Sequence, residues 1–172
     1  MGRAFSHFNA YERKLEGWLG RCNMVTAPTG GTFNVRVLET ASNTVQAVRV
    51  PAAASLCPTE VGAPCEYLIE YRWPLGFDGQ GTGISGVQVR LASRDLRRTS
   101  YLLDMTPQTT TFTDAALAIG RTFQDPNGVA ISVTARERHA RDRQCHRARG
   151  YGTGDLPRRR GVLESVYGML TD

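Results

Sequence analysis

Three histidines, His7, His139 and His146, are the imidazoles this chain can bring to catalysis or to a metal. A hydrolytic zinc helix needs His-Glu-x-x-His: positions i and i+4 turn two imidazoles toward one ion, and the glutamate activates its water. None of the three has that partner. Glu137-Arg138-His139 lies in an arginine-rich stretch that offers no helix, and His7 stands alone beside Phe8. The sequence therefore predicts no metal ligands and no catalytic residues in this chain. Nucleophilic catalysis lacks its frame as well. Gly83-Ile84-Ser85-Gly86 misses the spacing of a nucleophile elbow. Gly79-Gln80-Gly81-Thr82-Gly83 lacks the lysine and the helix of a phosphate loop.

Carboxylates are the remaining candidates. Asp78, Asp104, Asp114 and Asp125 could offer hard oxygens to calcium. No Asp-x-Asp-x-Asp-Gly loop joins them, and aspartates in turns accept backbone N–H bonds, the role expected of these four. An acid–base carboxylate pair needs a set separation that sequence spacing does not supply. His7, next to Phe8 at a helix start, is read as packing or as a hydrogen-bond partner.

The elements that must position these side chains are mostly strands. Asn9 with Glu12 three residues on forms a capping box for a helix running through Leu15 and stopping near Gly17. Its Tyr11, Leu15 and Trp18 share one side, expected to pack on the sheet. Period-two patterning then predicts strands at 32–37, 44–50, 66–73, 86–91, 100–105 and 129–134. Residues 41–44 suit a hairpin between the first two, and Asp125-Pro126-Asn127-Gly128 marks a turn before the last. Tyr67, Ile69 and Tyr71 fall on one face with Glu70 and Arg72 on the other; Val87, Val89 and Leu91 point inward, Gln88 and Arg90 outward. The predicted class is mainly β: an antiparallel β-sandwich of about six to eight strands with one N-terminal helix and a disordered basic C-terminal tail. The absence of βαβ alternation argues against a doubly wound fold.

The charge is uneven. Residues 1–135 net +1, residues 136–160 net +6 with nine arginines, and the last twelve net −2. The +5 total therefore belongs to the tail, whose scarcity of aliphatic side chains predicts disorder. Residues 161–170 could form a short amphipathic turn but lack a partner. The tail has little stacking capacity, so nucleic-acid binding is not expected of it; a frame-shifted reading of GC-rich DNA is an alternative origin. Lys14 is the single lysine. Cys57 and Cys65 flank a turn-rich loop and are expected to pair if the protein meets an oxidising compartment. Cys22 reads as a small buried residue and Cys145 as a free thiol.

Several segments, taken in order, carry a resemblance. Met1-Gly2 followed by His7-Phe8-Asn9-Ala10-Tyr11 through Gly17-Trp18-Leu19 resembles the Met-turn and next helix of gametolysin-like secreted zinc metallopeptidases. Glu70-Tyr71-Arg72, Gly76-Phe77-Asp78, Gly86-Val87-Gln88-Val89-Arg90, Leu102-Leu103-Asp104-Met105-Thr106-Pro107, Asp114 through Phe123 and Gly128 through Val133 resemble its C-terminal β-domain. The match covers about residues 1–135. It implies a Met-turn-like start and helix at 1–19 and a β-sandwich at 20–135; the arginine-rich tail at 136–172, read from composition as disordered, lies outside the match.

The resemblance further implies a non-catalytic C-terminal remnant, with zinc and proteolysis belonging to full-length relatives and no cofactor in this chain. The expected partner is an upstream catalytic segment or a protein substrate. Relatives are extracellular, whereas no apolar h-region of a signal peptide stands at this N-terminus, which leaves location unknown, or cytoplasmic for the chain as it stands. No apolar run of membrane-spanning length occurs. The alternative reading is a stand-alone β-sandwich binding a protein or glycan through a loop bearing Trp73, Phe77 and Asp78.

Overall fold

The computed structural model describes residues 7–80, 85–95, 99–135 and, for the backbone, 166–170. Met1 and Gly2, the arginine-rich stretch 136–160, His139, His146 and Cys145 lie outside the described residues.

The fold is mainly β. After the short helix α1 (Ala10–Leu15) come β1 (Met24–Thr26), β2 (Gly31–Phe33), β3 (Ala47–Pro51), β4 (Cys65–Arg72), β5 (Gly86–Ser93), β6 (Ser100–Leu102), β7 (Thr122–Gln124), β8 (Val129–Val133) and β9 (Val166–Leu170). One sheet runs β1-β3-β4-β5-β6, the other β2-β9-β8-β7. Neighbours are antiparallel, with one departure from the expected pattern: β1 lies parallel to β3, Met24 opposite Ala47.

The alternation in β4 and β5 sets the core. Tyr67 and Ile69 of β4 and Val87, Val89 and Leu91 of β5 meet Val48 and Val50 of β3 across to Val129, Ile131 and Val133 of β8. Both sheets thus enclose one apolar layer, which is the sandwich the period-two pattern predicted. Asp125 opens the turn before β8 as expected, accepting from the Asn127 and Val129 N–H groups at 2.8 and 2.9 Å.

Three expectations need correction. The run 32–37 does not form one strand leading into a hairpin. Gly31–Phe33 pairs with β9 in one sheet, whereas Val37 bridges Tyr71 of β4 in the other. The chain crosses between sheets here, and Gln46 organises the crossing by donating to the carbonyls of Val37 and Thr40 at 3.0 and 2.7 Å. Second, residues 166–170, read as lacking a partner, form β9 between β2 and β8. A short segment with weak alternation is a strand only because two distant edges present free ladder groups to it.

Third, the side of β4 and β5 read as outward is buried. Glu66, Glu70, Arg72 and Gln88 are each under 5% exposed. The cover is α1: its Tyr11 packs with Leu68 and Ala92, and Ala10 with Leu38 and Ala47. Asn9 and Glu12 form the predicted capping box, each side chain bonding the other's N–H at 3.0 and 2.9 Å. The helix ends at Leu15 and the chain turns at Gly17, φ +72°, so Trp18 leaves the helical face and stands 61% exposed.

Ile131 sits at the centre of β8 and is 1% exposed. Ile131→Ala should lower stability by about 2–5 kcal/mol. The check is a urea midpoint that falls with an unchanged slope.

Candidate functional site

The most concentrated chemistry in the molecule lies on the covered face of β4. Residues two apart on a strand share a face, so Glu66, Leu68, Glu70 and Arg72 all point at α1. Arg72 is the centre. Its side chain is 3% exposed, and those of Glu39, Glu70 and Asp78 around it are 0% exposed. Its Nε pairs with Glu39 Oε1. Its Nη2 donates to Asp78 Oδ2 at 2.5 Å and to the His7 carbonyl at 3.0 Å; Nη1 reaches Glu70 Oε1 at 3.4 Å. Asp78 arrives on the 3-10 turn Gly76–Gln80, Glu39 on the crossing loop after Leu38.

The carboxylates in turn hold backbone. Asp78 Oδ1 accepts from the His7 N–H at 2.7 Å, Glu70 Oε2 from the Ala10 N–H at 2.5 Å, and Glu39 Oε2 from the Trp73 N–H at 3.1 Å. Both main-chain polar groups of His7 and the first N–H of α1 therefore end on buried charge. The far end of the helix is held similarly. Lys14 Nζ meets Glu66 Oε1 at 2.9 Å, and Glu66 also takes Arg49 bidentately, accepting from Nε on Oε1 at 2.9 Å and from Nη2 on Oε2 at 2.7 Å.

Electrostatics follow from this packing. Burial raises the Glu39 carboxyl above its usual range, and a hydrogen bond to the Asp78 side chain adds to the rise, against Arg72. Burial acts on Asp78 in the same direction, but its bonds to Glu39, Arg72 and the His7 N–H outweigh it and leave Asp78 low. Burial works against the Arg72 charge, yet Glu70, Asp78 and Glu39 together raise it. Desolvation lowers Arg13 nearby. On the other face of β4, burial and Asp125 push the Tyr67 phenol up, so it donates to Asp125 Oδ2 at 2.9 Å.

The cluster is enclosed. Neighbouring carboxyl groups could exchange protons with a substrate, but the side chains of Glu39 and Asp78 are closed to solvent and each is bonded to the Arg72 guanidinium. Among the described residues no group of three His, Cys, Asp or Glu side chains is arranged to hold a metal ion. The cluster is a clamp on the chain at His7–Ala10.

The residues singled out from sequence separate accordingly. Cys57 and Cys65 are joined in a disulfide. Cys22 is disulfide-bonded too, so it does not serve as a plain apolar filler. Phe77 is 62% exposed and meets the His7 ring, centroids 5.3 Å apart. Trp73 is only half-buried at the clamp's edge, and Asp78, expected in an open loop, is fully buried; the turn folds under Arg72 and His7 because that pairing satisfies its charge. Asp104 caps Thr106 N at 2.9 Å and Asp114 accepts from Thr109 Oγ1 at 3.1 Å, the turn chemistry expected. Glu39 and Glu66 went unremarked in the sequence reading, and Glu70 and Arg72 were placed on a strand face without a partner. The signal on β4 is three charged residues, Glu66, Glu70 and Arg72, alternating with Tyr67, Ile69 and Tyr71, which reads equally well as a solvated face.

No protein-family model matches this chain, nor does any characterised protein or solved structure.

Arg72→Met removes the cation from three buried carboxylates. The expected loss is about 3–5 kcal/mol, because uncompensated buried charge is left behind. Chemical denaturation at neutral pH checks it, with a loss below about 1 kcal/mol contradicting the clamp.

Proposed function

We propose that this chain is a non-catalytic β-sandwich scaffold of the gametolysin-like metallopeptidase kind, whose work is to hold the polypeptide around His7–Ala10 in one place. The observation that carries this reading is the Arg72 clamp, which gives the His7 carbonyl, the His7 N–H and the Ala10 N–H each a buried charged partner. A six-residue helix has too few internal hydrogen bonds to persist alone, so a built anchor on its start implies that the position of this segment matters. The ancestry rests on the ordered sequence resemblance; the bracing role rests on the clamp.

Hydrogen exchange tests the bracing. In Asp78→Ala the amides of residues 7–16 should lose protection by about tenfold or more, while those of β4 and β5 keep it. Equal loss in both, or none in either, contradicts the reading. Metal analysis of the purified chain should find no stoichiometric zinc, and one tightly bound zinc per chain would refute the non-catalytic assignment.

A second reading has its own observation. Phe8 stacks on Trp18 at 5.3 Å with an interplanar angle of 12°, His7 meets Phe77, and Phe8, Trp18 and Phe77 are 46%, 61% and 62% exposed. Such open aromatic faces suit a protein or glycan ligand. Trp18→Ala should then cut retention on an immobilised extracellular-matrix extract at least about tenfold, a change of roughly 1.4 kcal/mol. Unchanged retention excludes this surface.

A further inference from the structure

We propose that the far end of α1 carries a binding site for a tetrahedral oxyanion, the phosphate or sulfate ester of a ligand, held by Lys14, Arg49 and Arg94. The site lies beyond the Arg72 clamp and does not depend on it.

An unbalanced charge points to it. The Glu66 side chain is 2% exposed, and three cations converge on it. Lys14 comes from α1 and meets Oε1 at 2.9 Å, and Arg49 comes from β3 and meets Oε2 at 2.7 Å through Nη2. Arg94 follows β5, and its Nε stands 3.7 Å from Oε2. Among the described residues Glu66 is the only carboxylate in ion-pair reach of these three. Three positive charges meet one negative, which leaves a surplus of +2. The exposed acids nearest in sequence, Glu16 and Asp95, make no ion pair with them. Strand register fixes the arrangement. Arg49 lies opposite Leu68 and Glu66 opposite Ala92, so neighbouring strands bring Arg49, Glu66 and the residue after β5 to one end of the face that α1 covers. Lys14 stands over them from the helix, its Nζ 5.9 Å from the centre of the Tyr11 ring.

Exposure rises outward from the carboxylate. The side chains of Lys14, Arg49 and Arg94 are 15%, 25% and 43% exposed. Glu66 is thus the floor of the cluster, and the three cations hold more N–H donors than its two oxygens take. Like charges this close repel one another, and a second anion relieves what Glu66 leaves. Its shape follows from the donors. Groups arriving from a helix, a strand and a strand end need acceptor oxygens in three directions. A carboxylate offers two oxygens in one plane, whereas a phosphate or sulfate ester offers three outside its ester link. The Arg94 guanidinium, loosely engaged by Glu66, can pair with two of those oxygens at once.

The experiment is residue-resolved NMR on the full chain at about pH 7, titrating inorganic phosphate, inorganic sulfate and, at matched ionic strength, chloride. The nine arginines of residues 136–160 attract anions as well. The reading is therefore taken from the Nε–H signals of Arg49 and Arg94, against that of Arg121, an exposed arginine just before β7. Arg49 and Arg94 should shift saturably with phosphate or sulfate and not with chloride, while Arg121 shows no saturation. Arg94→Gln should raise the half-saturation concentration read at Arg49 by about fivefold or more. Arg121→Gln changes the net charge equally and should leave it within about twofold. Saturation by phosphate alone assigns a phosphate ester, by sulfate alone a sulfate ester, and by both the chemistry the two share. Saturation by neither overturns the site, as does an equal response to chloride or an Arg94→Gln variant that titrates like the native chain.

Discussion

The guanidinium of Arg72 is the constraint on which the arrangement of this molecule depends. It lies on β4, the central strand of the larger sheet, and touches the crossing loop through Glu39, the turn at Gly76–Gln80 through Asp78, and the segment before the helix through the His7 carbonyl. Three chain segments distant in sequence thus meet at one rigid, planar donor. Buried ion pairs lose to desolvation much of what attraction provides. Their contribution is best seen in direction, since each charged atom meets a specific backbone group.

That constraint explains why a sheet with one conventional apolar face also buries its other face. The layer between the sheets is ordinary packing of Val, Ile, Leu and Tyr. The opposite side is a mixed surface, where Tyr11, Leu68 and Ala92 supply apolar contact between two charged anchors, Glu70 at the start of α1 and Glu66 near its end. A helix this short gains its order from the surface it lies on. Gly76 illustrates the tightness of the fit: at φ +56° it follows a path a side chain resists, and a Cβ there would press on His7.

Enclosure distinguishes the two regions around His7. The Glu39 and Asp78 carboxyl groups are closed to solvent and accept from the Trp73 and His7 N–H groups. The aromatic surface just outside, Phe8, Trp18 and Phe77, is the complementary case, with open faces and no charged machinery of its own. Both regions flank His7, so the segment that the clamp fixes also sets where those rings stand.

Much was legible before the fold was seen. The capping box of Asn9 and Glu12, the strands centred on Tyr67–Tyr71 and Val87–Leu91, the turn at Asp125 and the Cys57–Cys65 pairing depend on neighbours within a few residues, and local spacing encodes such features. What sequence could not decide was which face of β4 met water. Alternation assigns Glu66, Glu70 and Arg72 to one side but is silent on what covers it, and the cover comes from α1, about sixty residues away. Nor could it place β9, whose partners β2 and β8 are brought together only by the closed sandwich. Local hydrogen bonding and periodicity are properties of a segment, whereas burial of a charge is a property of everything that surrounds it, and the tertiary structure alone supplied those surroundings.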